Sequence, residues 1–182
     1  MFFMCALRSV GIPCRQVYTP WWSTVDSNHA WPEVWTPEGW RYTDISAEIE
    51  TLNSTWFTER ARSTALVVAM VSDSIPGAVK YYGDVSSVNV TPVYAETGVL
   101  AFSDLQEEVT VSIINWGSYR PLAVLDSLHP SVELGSGTYL VTWGWPVNAL
   151  EAVVVSGQTT LVDPAVSLLP AHHIMNITEE KQ

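Results

Sequence analysis

Basic residues are scarce in this chain. Eight lysines and arginines stand against nineteen aspartates and glutamates, a formal charge of −11 over 182 residues. That balance repels a phosphate backbone and an anionic bilayer surface, so charge disfavours nucleic acid and anionic membrane surfaces as partners. No apolar run approaches the roughly twenty residues a spanning helix needs, so no membrane insertion is expected. The longest run, Leu66 to Val71, is strand-sized. Cysteine is nearly absent: Cys5 and Cys14 cannot define a disulfide framework and do not reveal a redox compartment. No Cys, His and acidic residues recur at metal-ligand spacing, and the adjacent His172 and His173 do not converge on one ion, so neither metal nor cofactor is expected. Gly-rich phosphate loops, internal repeats and low-complexity segments are missing too. The apolar start, Met1 to Leu7, lacks a basic leader and runs directly into Arg8 and Gly11-Ile12-Pro13. It reads as the end of a helix rather than as a signal peptide.

Tryptophan, by contrast, is abundant at nine residues. The length allows one or two domains with a real core. The stretch that organises the chain is Asp26 to Ser46, DSNHAWPEVWTPEGWRYTDIS. His29 to Trp35 has strand character, with aromatic and β-branched residues alternating against polar ones. Thr36-Pro37-Glu38-Gly39 is a turn, because Pro presets φ and Gly is free to take a positive one. Trp40 to Ile45 reads as the return strand. In such a hairpin His29 and Asp44 approach each other on neighbouring strands. A carboxylate beside an imidazole fixes its tautomer and favours its charged form, which is the base and orienter half of a nucleophilic site. The competing explanation is a structural histidine hydrogen-bonded in a β-core. Trp21 and Trp22 lie in the loop before the hairpin, where both core coverage and substrate contact remain open; Trp31 is a third candidate for substrate contact.

Ala47 to Ser63 reads as loop or short helix anchored by Trp56 and Phe57. Thr64 to Val71 reads as a buried strand, bounded by Asp73 and Pro76-Gly77. From Ser87 short strands recur between turn signals: 88–94, 109–114, 123–125, 138–143, 150–155 and 159–162. Regular short strands separated by Gly, Pro, Asn and Ser indicate an all-β sandwich. The expected organisation is a core over 1–75, a connector over 76–86, a sandwich over 87–165 and a tail over 166–182. Three glycosylation sequons, at Asn53, Asn89 and Asn176, match by pattern alone. Trp116, Tyr119, Trp143 and Trp145 offer either a sugar-stacking platform or, as the stronger expectation, packing.

The motifs of the first quarter carry a family resemblance. LRSVGIPCRQV (Leu7 to Val17) followed by HAWPEVW and EGWRYTD resembles the second half of a transglutaminase-like core of papain-like fold. Arg8, Gly11, Ile12, Pro13, Arg15, His29, Ala30, Trp31, Glu33, Gly39, Trp40 and Asp44 fall on the pattern in order. The resemblance implies a partial papain-like core, helix plus antiparallel sheet; with the all-β sandwich read from the later strands, the expected fold is α+β. It implies thiol acyl transfer or amide hydrolysis on a protein or peptide, with His29 as general base and Asp44 as its orienter. The family's nucleophilic Cys stands at the start of the helix leading into Gly-Ile-Pro, roughly four turns upstream. That position falls before Met1. Cys5 is expected buried mid-helix, where an apolar site raises a thiol's pKa, and Cys14 takes the place of a small buried residue. The expectation is therefore a truncated or non-catalytic transglutaminase-like protein, the alternative a sandwich module that binds glycan or protein. The closing strands, GSGTYLVTWGW and LEAVVVSGQTTLVD, are similar to prealbumin-like or carboxypeptidase-regulatory-like modules of secreted bacterial proteins, which implies an extracytoplasmic location. Oligomeric state is not legible.

Overall fold

The computed structural model describes residues 2–44, 51–81, 83–145 and 147–164. Helix α1 (Phe2–Ser9) buries Met4 and stops at Gly11, whose φ of +78° suits a residue without a Cβ. The chain then enters strand β1 (Cys14–Thr19). Strands β2 (His29–Thr36) and β3 (Gly39–Tyr42) form the expected hairpin, joined through Pro37 and Glu38, but the return strand ends at Tyr42, short of Asp44, rather than running on to Ile45. With β4 (Val68–Met70) and β5 (Ser87–Asn89) they make a five-stranded antiparallel sheet in the order β3-β2-β1-β4-β5.

The two-residue period of a strand assigns each side chain to a face. Arg15, Val17 and Thr19 of β1 lie opposite Glu33, Trp31 and His29 of β2, all on one face. There the sheet buries Val17, Trp22, Trp31, Phe57, Ala61, Val67, Ala69, Val90 and Tyr94. The short helix α2 (Thr58–Ala61) delivers Phe57 and Ala61 to this core. On the other face Cys14 and Val34 pack against Met4 of α1.

Among the described residues the second half holds seven strands: β6 (Thr97–Phe102), β7 (Val109–Asn115), β8 (Ser118–Leu125), β9 (Ser131–Gly135), β10 (Gly137–Trp143), β11 (Asn148–Val154) and β12 (Thr159–Val162). They form two sheets, β11-β10-β7-β8 and β12-β6-β9, which bury one core between them. Every pairing is antiparallel except β12 with β6. The chain is thus β-rich, with few helical residues.

Several expectations need correction. The strand expected over 88–94 is divided: Ser87 to Asn89 pair with β4 in the first sheet, and Thr91 to Val93 form a 3-10 turn. The buried run 64–71 is buried through Ala69, but only Val68–Met70 is strand, because the backbone of Ala65 and Val67 pairs with Gly135 and Val90 instead. Strands β6 and β9 were not anticipated. Cys5 is exposed, not buried, because this short helix buries only its Met4 side. Trp143 is buried, and Trp116 and Trp145 sit at opposite ends of β7, since Trp143 pairs with Val109. The packing expected of these residues holds for Trp143, whereas Trp116 is 62 % and Trp145 92 % exposed. Ile45 and Ser46, the tail over 166–182, His172, His173 and the Asn176 sequon lie outside the described residues.

The two halves share contacts. Ala65, Leu66 and Val68 belong to the core of the second half, and Asn89 Nδ2 donates to the Glu133 carbonyl at 2.6 Å. A proteolytic nick in the exposed 73–77 loop should therefore leave both pieces together on size exclusion under native conditions. Elution of a separate C-terminal piece would contradict this packing.

Candidate active site

His29 opens β2 and lies across from Thr19, whose hydroxyl shares a 2.9 Å hydrogen bond with that of Thr64. The imidazole is surrounded by aromatic rings. Trp56 and Phe57 stand edge-on with centroids at 4.9 and 5.0 Å, and Trp31 and Trp22 are stacked at 5.7 and 6.3 Å. Nε2 is buried and has no hydrogen-bond partner.

Asp44 follows β3 by two residues. Glu33 pairs with Tyr42, and the Thr43 amide donates to the Pro32 carbonyl at 3.1 Å. Extending that register puts Asp44 level with Trp31, on the same face as His29. The Asp44 side chain is buried and accepts a hydrogen bond from the Trp56 indole. Burial lowers the His29 pKa below its ordinary value, and the Asp44 charge opposes that shift. Burial thus favours the neutral imidazole, the form in which it accepts a proton.

This depression links site to stability. The unfolded chain binds a proton at His29 near pH 6.5, and the folded chain binds it only at lower pH. Between those values the unfolded state holds more protons, so stability rises with pH. The contribution is complete above about pH 6.5 and fades as pH falls toward the lower folded value. Urea midpoints measured across this window should fall on acidification less in His29→Gln than in the wild-type chain. Equal slopes would show that His29 is not the group responsible.

A second polar group sits further along the same face. Glu33 is 1 % exposed and pairs with Arg15 at 2.5 Å. Tyr94 donates its hydroxyl to Glu33 at 2.5 Å and accepts the Trp31 indole N–H at 2.9 Å. Burial first, and the Glu33 charge second, push the Tyr94 phenol well above its ordinary pKa, so it remains a donor. Arg15 in turn lies over the Trp40 ring at 4.2 Å.

Cys14 is not at this site. It faces the opposite side of the sheet, and its thiol donates to the Met4 carbonyl at 3.4 Å. It pairs with Val34, five residues along β2 from His29; at ~3.4 Å per residue that is about 17 Å away. Cys5 lies next to Met4 on α1. Of the three tryptophans considered for substrate contact, Trp22 and Trp31 are 1 % and 2 % exposed and belong to the core. Trp21 is half-buried, donates its indole N–H to the Pro121 carbonyl at 3.2 Å, and lines a groove of about 420 Å³ with Gln16, Tyr18, His29, Met70 and Val85. Among the described residues no group of His, Cys, Asp and Glu could hold a metal ion.

Sequence reasoning did not single out Glu33, Trp56, Phe57 or Tyr94 as neighbours of the site. Strand parity alone puts Glu33 on the His29 face. Trp56, Phe57 and Tyr94 arrive from distant segments, and no local pattern announces them. The family model of the transglutaminase-like superfamily matches residues 1–45. No curated protein and no solved structure matches the chain.

Proposed function

We propose that His29 and Asp44 are the base and orienter of a thiol acyl-transfer or amide-hydrolysis site acting on a protein or peptide. The observation that carries this reading is the unpartnered Nε2 of His29, buried on the same face as Asp44 within the matched segment. In such a site a thiolate attacks the carbonyl carbon and forms a tetrahedral adduct. His29 takes the thiol proton and gives it to the departing amine, leaving a thioester. Water or a second amine then attacks the thioester, with His29 again moving the proton. Asp44 holds the imidazole in place and stabilises its charged form.

This chemistry requires a thiol beside Nε2, and Cys14, on the opposite face of the sheet, does not supply it. By resemblance the thiol comes from the first turn of a helix leading into α1, where the helix dipole and His29 both favour the thiolate. The 182-residue chain should then be inert in amine-incorporation and peptide-release assays. The same chain extended by such a Cys-bearing helix should turn over, and His29→Ala should remove that activity. Turnover by the unextended chain that vanishes on Cys5→Ser would make Cys5 the nucleophile. No turnover by the extended chain would favour a non-catalytic module that binds glycan or protein.

A further inference from the structure

The tip of the β7–β8 hairpin is built around two residues with positive φ, Trp116 at +54° and Gly117 at +64°. A two-residue turn of this kind matches the twist of the flanking strands, but it suits Asn or Gly far better than a bulky aromatic. Strain of this sort persists where surrounding contacts hold it. Here the contacts come from the other half of the chain. The Trp116 amide donates to Asp26 Oδ1 at 2.6 Å. Just before it, Asn115 is 1 % exposed, and its Nδ2 donates to the carbonyls of Trp22 at 3.0 Å and Val25 at 2.9 Å. Further along β8, Arg120 lies over the Trp21 ring at 5.3 Å, and Pro121 accepts the Trp21 indole N–H.

All five contacts fall on the segment Trp21 to Asp26. That loop is closed on itself by the Trp22 amide donating to the Ser27 carbonyl at 2.9 Å. Its one fully buried indole, Trp22, stacks on both His29 and Trp31. The orientation of the ring against the imidazole therefore depends on where the hairpin holds the loop backbone.

We propose that the β7–β8 hairpin is a positioning element of the His29 site, and that Asn115 is its positioning residue, acting through the Trp22 and Val25 carbonyls. On this view the second half is a wall of the site rather than an appended module. That the site is catalytic rests on the function proposed above; the coupling of Asn115 to His29 does not.

The test uses the whole chain and reads His29 directly. Asn115→Asp replaces two amide donors with an acceptor facing two carbonyls. Asn115→Ser removes the reach. Asp26→Ala removes only the exposed acceptor of the Trp116 amide. Val111→Ala is the control: it is fully buried in the same strand but belongs to the sandwich core. Both Asn115 variants should move the ring-current-shifted His29 proton resonances and speed exchange of the Trp22 amide at least about tenfold, as loss of two hydrogen bonds implies. Asp26→Ala should move the same resonances less. Val111→Ala should leave them in place while lowering stability. If an Asn115 variant does not fold, Asp26→Ala decides alone. His29 resonances that coincide with wild type in the folded Asn115 or Asp26 variants, or that move as much in Val111→Ala, would overturn the proposal. Turnover assays are not involved, so this outcome is separable from failure of the catalytic reading.

Discussion

Arg15→Met should destabilise the fold by roughly 3–5 kcal/mol, the usual cost of leaving a buried charge without its partner. Glu33 is 1 % exposed and Arg15 is 17 % exposed, so solvent does little to screen what remains. In the variant the carboxylate keeps only the Tyr94 hydroxyl. It must then stay charged in an apolar core or take up a proton, and either costs free energy. Glu33→Gln should be milder, because the amide still accepts the Tyr94 hydroxyl. A double change to well-packed apolar side chains should recover much of the loss, since the desolvation of both charges disappears together. Urea unfolding of the wild type, Arg15→Met, Glu33→Gln and the chain combining those same two changes forms a double-mutant cycle. A strongly non-additive cycle is expected; an Arg15→Met loss below about 0.5 kcal/mol, as typical of exposed ion pairs, would contradict it. The pair also supports the site. Trp31 is tethered by its indole to Tyr94 and stacks on His29, so loosening Glu33 should broaden the His29 resonances.

Gly135→Ala should cost about 3 kcal/mol or more, at or beyond the upper end of overpacking effects. A Cβ at Gly135 would fall 2.0 Å from the Thr64 carbonyl oxygen and 3.1 Å from its carbon. Both are backbone atoms, so no side chain can swing aside. The same glycine donates its amide to the Ala65 carbonyl at 2.9 Å, which joins β9 to the segment before β4. Relief requires the two halves to move apart and break that bond. For a chain of this size the melting temperature should drop by ~6 °C or more. A change of about 2 °C or less would mean that the close approach is readily relaxed.

The first forty-four residues were legible because their signals are local. Gly11 stops α1, Pro37 and Gly39 mark the turn, and alternation from His29 to Trp35 defines β2. The recurrent runs of the second half located β7, β10, β11 and β12 for the same reason. What failed depends on partners far away in sequence. Val88 looks like any β-strand residue, and nothing nearby says that it pairs with Ala69 rather than with the sandwich. Thr97 to Phe102 and Ser131 to Gly135 are interrupted by Gly, Ala, Ser and Glu, and they become strands because each pairs with the other. At the site, the His29 and Asp44 face follows from hairpin register. The aromatic enclosure does not, because Trp56, Phe57 and the Asn115-held Trp22 are brought in by tertiary packing.

The most direct test of the His29–Asp44 pair is the pH titration of the His29 imidazole nitrogens by NMR, in the wild-type chain and in Asp44→Asn. In the wild-type chain burial holds the His29 pKa below its ordinary value while Asp44 partly restores it. Removing the carboxylate charge should lower it further, and should disturb the tautomer ratio if Asp44 orients the ring. A His29 pKa and tautomer unchanged by Asp44→Asn would contradict the pairing on which the proposed chemistry stands.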